Sequence, residues 1–182
     1  PDNSFATMAK AHNWVQYTLD LPMGNEPGNV FNYNSGATLI LGHIFRLATG
    51  TDIEEYAVEH LFTPLGIDDY YWDRTPYGLT DTQEGLYISA RSLAKIAQLF
   101  LQKGRWQDEQ VIPAAWVEES TAPLYPTGKS DDEAYGYLWW SQPYTFKGKT
   151  VRAHFGKGFG GQRPIFLPDL NMVIVLTAWN IL

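Results

Sequence analysis

Several groups of residues in this chain have types and spacings that could do chemistry. Ser92-Leu93-Ala94-Lys95 sets a hydroxyl one helical turn before an amine, the spacing of a serine nucleophile and its base. On that helix Leu93, Ile96, Ala97 and Phe100 form the apolar stripe, and Arg91, Lys95, Gln98 and Gln102 the polar one. A solvated lysine stays protonated and cannot take a serine's proton, so the pair reads as a formal match only. Gly156-Lys157-Gly158-Phe159-Gly160-Gly161 fits the GxGxxG pattern. A dinucleotide site needs a helix to start there, whereas Gln162-Arg163-Pro164 leads into a strand. Glycines between two strands instead permit close approach of a ligand or a neighbouring strand. The four histidines, at 12, 43, 60 and 154, have no metal-ligand spacing, and His43 reads as a satisfied core residue. Ser130-Asp131-Asp132-Glu133 lacks the alternation of a calcium loop and reads as a solvated loop. Neither a metal nor a cofactor is expected.

Composition narrows the classes. Hydrophobic residues make up 45% of the 182 and charged residues 18%, ample for a packed core. The net charge is −7 with no basic block, which argues against binding nucleic acid through its phosphates. There is no cysteine, hence no disulfide and no thiol nucleophile. The longest apolar run, Met172–Leu176, has the length of a buried strand and not of a membrane span. Pro1-Asp2-Asn3-Ser4 has neither an initiator Met nor the features of a signal peptide, so the chain reads as a mature or truncated piece of something longer.

The elements that must position these residues follow from periodicity and punctuation. Residues 1–36 look irregular apart from an amphipathic stretch at Trp14–Leu19. Leu39, Ile40, His43, Ile44 and Leu47 recur at helical spacing after Ser35-Gly36, with Gly50 as the stop. Asp52 and Glu55 form a capping-box signature for a second helix, which ends at Pro64-Leu65-Gly66. Ser89 caps a third helix running to about Lys103, and Pro113 opens a fourth through about Ser120. Beyond the loop from Pro123 to Glu133, the segments Tyr137–Ser141, Thr150–His154, Arg163–Leu167 and Met172–Trp179 are strand-like. Helices followed by an antiparallel meander give an α+β class.

Four segments carry a family resemblance. Pro27-Gly28-Asn29-Val30-Phe31-Asn32-Tyr33-Asn34-Ser35-Gly36, running into Leu39-Ile40-Leu41-Gly42, resembles the Tyr-x-Asn/Ser region of serine β-lactamases and penicillin-binding proteins. The likeness is to the class C-like branch, which includes esterases and amide hydrolases. Gly85–Ala94 resembles the helix after that family's active-site crossover. Tyr135–Trp140, and Gly158–Gln162 through Leu167-Pro168-Asp169, resemble its C-terminal strands. The implied fold is β-lactamase/transpeptidase-like, an antiparallel sheet flanked by helices plus a helical subdomain. On that template 1–182 is a partial domain: 1–36 the crossover with the Tyr motif, 37–122 the helical part, 134–182 the last strands.

The resemblance also implies roles. Tyr33 falls on the catalytic tyrosine, whose hydroxyl moves protons to and from the nucleophilic serine and the leaving group. Ser35 takes the third motif position, orienting the substrate's carbonyl side. His154-Phe155-Gly156 falls at the Lys-Thr-Gly position, on what the family makes an edge strand. His154, Gly156 and Lys157 thus belong to the substrate and oxyanion region, although His154 could equally be an ordinary surface strand residue. His in place of Lys counts against β-lactam-type carboxylate recognition.

The family's Ser-x-x-Lys lies far upstream of its Tyr motif. Thr7-Met8-Ala9-Lys10 has the wrong hydroxyl and lies too close to Tyr33, and the chain ends at Asn180-Ile181-Leu182, before the family's terminal helix. The expectation is therefore the C-terminal portion of a serine hydrolase acting through an acyl-enzyme on a small ester or amide, inactive by itself. It would be prone to self-association through an incomplete sheet with Val173 and Val175 bare. Two alternatives stand beside it. One is a non-catalytic binding module gripping a sugar or peptide with Trp72, Trp106, Trp139 and Trp140; the other is a cell-wall D,D-peptidase, expected to keep Lys where His154 stands.

Overall fold

The structure is a computed structural model that describes residues 4–130 and 132–179; Pro1-Asp2-Asn3, Asp131 and Asn180-Ile181-Leu182 lie outside the described residues. The chain forms two compact units, Pro1–Ile88 and Ser89–Leu182.

In the first unit, helices α1 (Ser4–Met8), α2 (Trp14–Leu19) and α3 (Ser35–Thr49) pack around Met8, Val15 and Leu39. Asn13 caps α2 by accepting from the Gln16 N–H at 3.0 Å. Gly50, at φ 74°, ends α3 in the left-handed conformation that glycine adopts at least cost. The helices α2 and α3 meet at Gly36, where a Cβ would lie 2.3 Å from Thr18 Oγ1, so only glycine fits this crossing.

The apolar stripe of α3 is not all core. Leu39 is buried, but Ile44 is 53% and Leu47 73% exposed, because α2 covers only the Gly36–Leu39 side. His43 is half-buried with its Nδ1 buried and unpartnered, so it is not the satisfied core residue expected.

Asp52 accepts from the Glu54 N–H to cap α4 (Ile53–Ala57), which continues through a wider π-type turn, Val58–Phe62, into α5 (Thr63–Leu65). The cap is elaborated into a cluster: Thr80 donates to Asp52, and Arg74 bonds both Asp52, at 3.1 Å, and Glu54. The expected helical part is interrupted here by a hairpin of β1 (Tyr70–Trp72) and β2 (Leu86–Ile88).

In the second unit, α6 (Ala90–Leu101) starts at Ser89, whose hydroxyl accepts from the Ser92 N–H. Its buried face differs from the predicted stripe. Ser92, Ala97 and Leu99 are buried, and Lys95 is half-buried where a solvated position was expected. Ser92 pairs with the cap, its Oγ accepting from the Ser89 hydroxyl at 3.0 Å. A short hairpin of β3 (Arg105–Trp106) and β4 (Glu109–Gln110) precedes α7 (Ala114–Thr121).

The sheet is a six-stranded antiparallel meander in the order β10-β9-β8-β7-β6-β5. Its strands are β5 (Tyr125–Pro126), β6 (Ala134–Tyr135), β7 (Trp140–Phe146), β8 (Lys149–Phe155), β9 (Arg163–Leu167) and β10 (Met172–Leu176). Lys147 and Gly148, at φ 48° and 75°, make the two-residue turn that matches strand twist and sets the Phe146–Lys149 register. Between β8 and β9 the glycine-rich segment makes one tight turn, Phe159–Gly161, and no α-helix follows. Helix α6 lies on β9 and β10, with Phe100 6.0 Å from Phe166.

That packing reverses the face expected to be bare. Val173 pairs directly with Phe166, so Val173 and Val175 face α6 and are half-buried. Met172, Ile174 and Leu176, on the other face, are 42%, 38% and 49% exposed.

Candidate active site

Asn34 organises the Tyr33 segment. Its backbone is extended, at φ −134° and ψ 111°, and its side-chain oxygen accepts from the Gly36 N–H at 2.9 Å. An N-cap of this kind fixes the direction in which the chain enters the helix. Tyr33 therefore stands just outside α3, 47% exposed, and Ser35 is the first helical residue. Thr38 donates its hydroxyl to the Ser35 carbonyl at 2.7 Å, and Thr82 donates to the Thr38 carbonyl at 2.7 Å. The result is a phenol presented just before the capped start of α3.

The other candidate residues lie in the second unit. His154 sits on β8 between Ser141 of β7 and Phe166 of β9, an interior strand of this sheet and not the edge strand expected. Its ring stacks on Phe166 with centroids 4.9 Å apart and planes 18° from parallel. Burial, and then the nearby Arg152 charge, push its pKa down to about 4 against opposing pulls from Asp169 and the Thr121 backbone. The imidazole is thus neutral at pH 7, and its Nδ1 is buried and unpartnered. The residue as a whole is half-buried.

The Gly156 N–H donates to the Pro164 carbonyl at 3.0 Å, so the sheet ladder already uses it. Lys157 follows. Its ammonium lies 2.7 Å from Glu133 Oε2 and 3.7 Å over the Trp140 ring. Glu133 is 6% exposed, and its other oxygen accepts from the Thr127 hydroxyl at 2.9 Å. Burial raises its pKa, but the hydrogen bonds from Lys157 and Thr127 and the charges of Lys157 and Lys129 leave it below the ordinary value. Glu133 is therefore not part of a solvated loop. Its pairing with a lysine 24 residues away leaves no local trace in the sequence.

The structure keeps Tyr33 and Ser35 together at one helix start, and Gly156 and Lys157 together after β8. It does not bring the His154 and Lys157 side chains together. Three of the four tryptophans proposed as a sugar grip make internal contacts. Trp140 is 4% exposed, Trp139 lies against Phe100 at 4.6 Å, and Trp72 Nε1 donates to the Asp81 carbonyl at 2.7 Å.

Comparison with known proteins gives the context. A Bacillus anthracis protein assigned as a 6-aminohexanoate-dimer hydrolase superposes with a TM-score of 0.84 at 25% identity, covering 99% of this chain and 50% of that one. A penicillin-binding protein from Bacillus halodurans gives 0.69 at 19% identity, covering 91% and 57%. An octameric penicillin-binding-protein homologue from Pyrococcus abyssi gives 0.70 at 21% identity, covering 95% and 46%. The chain spans about half the length of these solved relatives. No curated protein matches it. The family model described as Beta-lactamase matches residues 1–178, and with the superpositions this shows that the chain belongs to the beta-lactamase family and has the β-lactamase/transpeptidase fold.

Proposed function

We propose that the whole protein is a serine hydrolase that works through an acyl-enzyme, with Tyr33 as its proton shuttle. The observation that carries this is the family match over residues 1–178, together with a phenol presented at the capped start of α3. In the first half-reaction a serine oxygen attacks the substrate carbonyl carbon. The serine proton passes through Tyr33 to the departing oxygen or nitrogen, the C–O or C–N bond breaks, and an alcohol or amine leaves. Water then attacks the acyl carbon, the serine oxygen recovers a proton by the same route, and the acid is released. A phenol acts as a base near pH 7 only where a neighbouring cation favours its phenolate form, a role for the lysine of the Ser-x-x-Lys pair. Ser35 orients the carbonyl side of the substrate.

In this reading the oxyanion donor near β8 is the Lys157 N–H, since the Gly156 N–H is held by Pro164. An amide substrate is favoured by the relative assigned as a 6-aminohexanoate-dimer hydrolase. The nucleophile is not Ser92, which is 7% exposed and bonded into the helix cap. We place it outside residues 1–182, so that this chain by itself turns nothing over. The exposed stripe Met172, Ile174 and Leu176 on β10 supports self-association.

A fluorophosphonate probe tests the reading. The full-length protein should label on one serine outside residues 1–182, and Tyr33→Phe should slow labelling and turnover on the order of 10²-fold with the fold unchanged. Absence of any covalent label on the full-length protein, or labelling of Ser92, rejects it.

A further inference from the structure

The segment after β8 is built from residues that do not hold themselves in place. Glycines at 156, 158, 160 and 161 surround Lys157, and glycine loses more backbone freedom on ordering than any other residue. Backbone bonds supply part of the order: Gly158 N–H donates to the Gln162 carbonyl at 2.8 Å, and Gly161 N–H to Gly158 at 3.2 Å. Side chains supply more: Phe159 meets the Trp179 ring edge-on at 6.2 Å, Gln162 bonds both backbone groups of Ala178, and Lys157 makes the ionic anchor. Its ammonium is clamped between the Glu133 carboxylate at 2.7 Å and the Trp140 face at 3.7 Å, and it also lies 5.5 Å from the Phe155 ring. Glu133 is itself fixed. Thr127 donates to it, the Thr127 N–H donates to the Glu133 carbonyl at 3.0 Å, and the Glu133 N–H donates to Ser130 at 3.2 Å. The carboxylate is buried and bonded at both oxygens, which restrains the ammonium that it holds.

We propose that Glu133 is a positioning residue for the reaction, bracing the 156–158 backbone through the Lys157 ammonium so that the Lys157 N–H stays aimed at the developing oxyanion. The proposal rests on the oxyanion role given to that N–H above. Glu133 touches no substrate; it acts through Lys157. The pair also neutralises the lysine, so that Lys157 serves as an anchor and not as a receptor for a substrate carboxylate.

The test uses the full-length protein with Glu133→Gln and, because a buried carboxamide could disturb folding, Lys157→Met, which keeps the backbone N–H and removes only the ammonium. Each variant should lower kcat about tenfold or more while KM stays within about threefold, since the brace matters to an oxyanion that forms only in the transition state. The double variant should be no slower than the slower single one. Hydrogen exchange of the 156–161 amides should quicken in both, a readout independent of activity. Faster exchange with unchanged kcat overturns the positioning role, and unchanged exchange overturns the brace itself. If the wild type takes no fluorophosphonate label, the hydrolase reading fails, and the exchange result still decides whether Glu133 braces this segment.

Discussion

The imidazole of His154 and the ammonium of Lys157, three residues apart in sequence, lie against opposite faces of one sheet. His154 stacks on Phe166, its direct partner on β9, whereas Lys157 lies over Trp140, which pairs with Phe155 and so faces the other way. A segment that could have offered two cations therefore offers a neutral ring and a neutralised ammonium.

Burial of His154 should show in the acid stability of the protein. Its folded pKa, about 4, lies below the ordinary 6.5, so between these values the unfolded chain binds a proton that the folded chain does not. Stability is complete above about pH 6.5 and falls as pH drops toward 4, by about 2 kcal/mol at pH 5 from this group alone. His154→Phe should lose that much less stability than the wild type between pH 7.5 and 5, measured by urea denaturation. Equal losses in the two proteins would show that some other group governs the acid limb.

The α2–α3 crossing should tolerate no side chain at Gly36. An added Cβ would fall 2.3 Å from Thr18 Oγ1 and 2.6 Å from its Cγ2. Gly36→Ala should destabilise by about 2 kcal/mol, as overpacking does, and Thr18→Ala in the same chain should return part of it. Thermal melts of the two singles and the double form the cycle. Strict additivity would place the cost elsewhere than in this contact.

Ser89 and Ser92 should separate a cap from a nucleophile. Ser89→Ala removes the side chain that accepts from the Ser92 N–H and should cost about 1 kcal/mol. Ser92→Ala leaves that bond in place, so it should cost less and leave covalent labelling of the full-length protein intact. Loss of label in a Ser92→Ala protein with normal circular dichroism would restore Ser92 as the nucleophile.

Self-association, if it runs through β10, should depend on the face opposite α6. Ile174→Lys places a charge in the middle of the exposed stripe and should shift light scattering toward the monomer, while Val175→Thr, on the half-buried side, should not. The opposite pattern would return the contact to the Val173–Val175 face.

Most of the secondary structure was legible because it is set by neighbours in sequence. Gly50, Ser89, Gly104 and Lys147-Gly148 act through their own φ/ψ preferences or through hydrogen bonds a few residues long, and the meander from β7 to β10 follows from alternation and turns. The Tyr33 motif was legible only through its likeness to the family segment; the Asn34 cap that starts α3 was not among the expected features. Other features depend on what packs against what. Which face of β10 lies bare is a matter of where α6 settles, and in a period-two strand the alternative differs by a single residue of register. Whether Lys95 is solvated, whether His154 is charged, and whether Glu133 is loop or brace turn on burial and on partners distant in the chain. The Glu133–Lys157 bond spans 24 residues, and no propensity or spacing encodes it. Local preference acts over one or two turns of backbone, whereas desolvation and ion pairing exist only once the sheet and its loops have closed around a side chain.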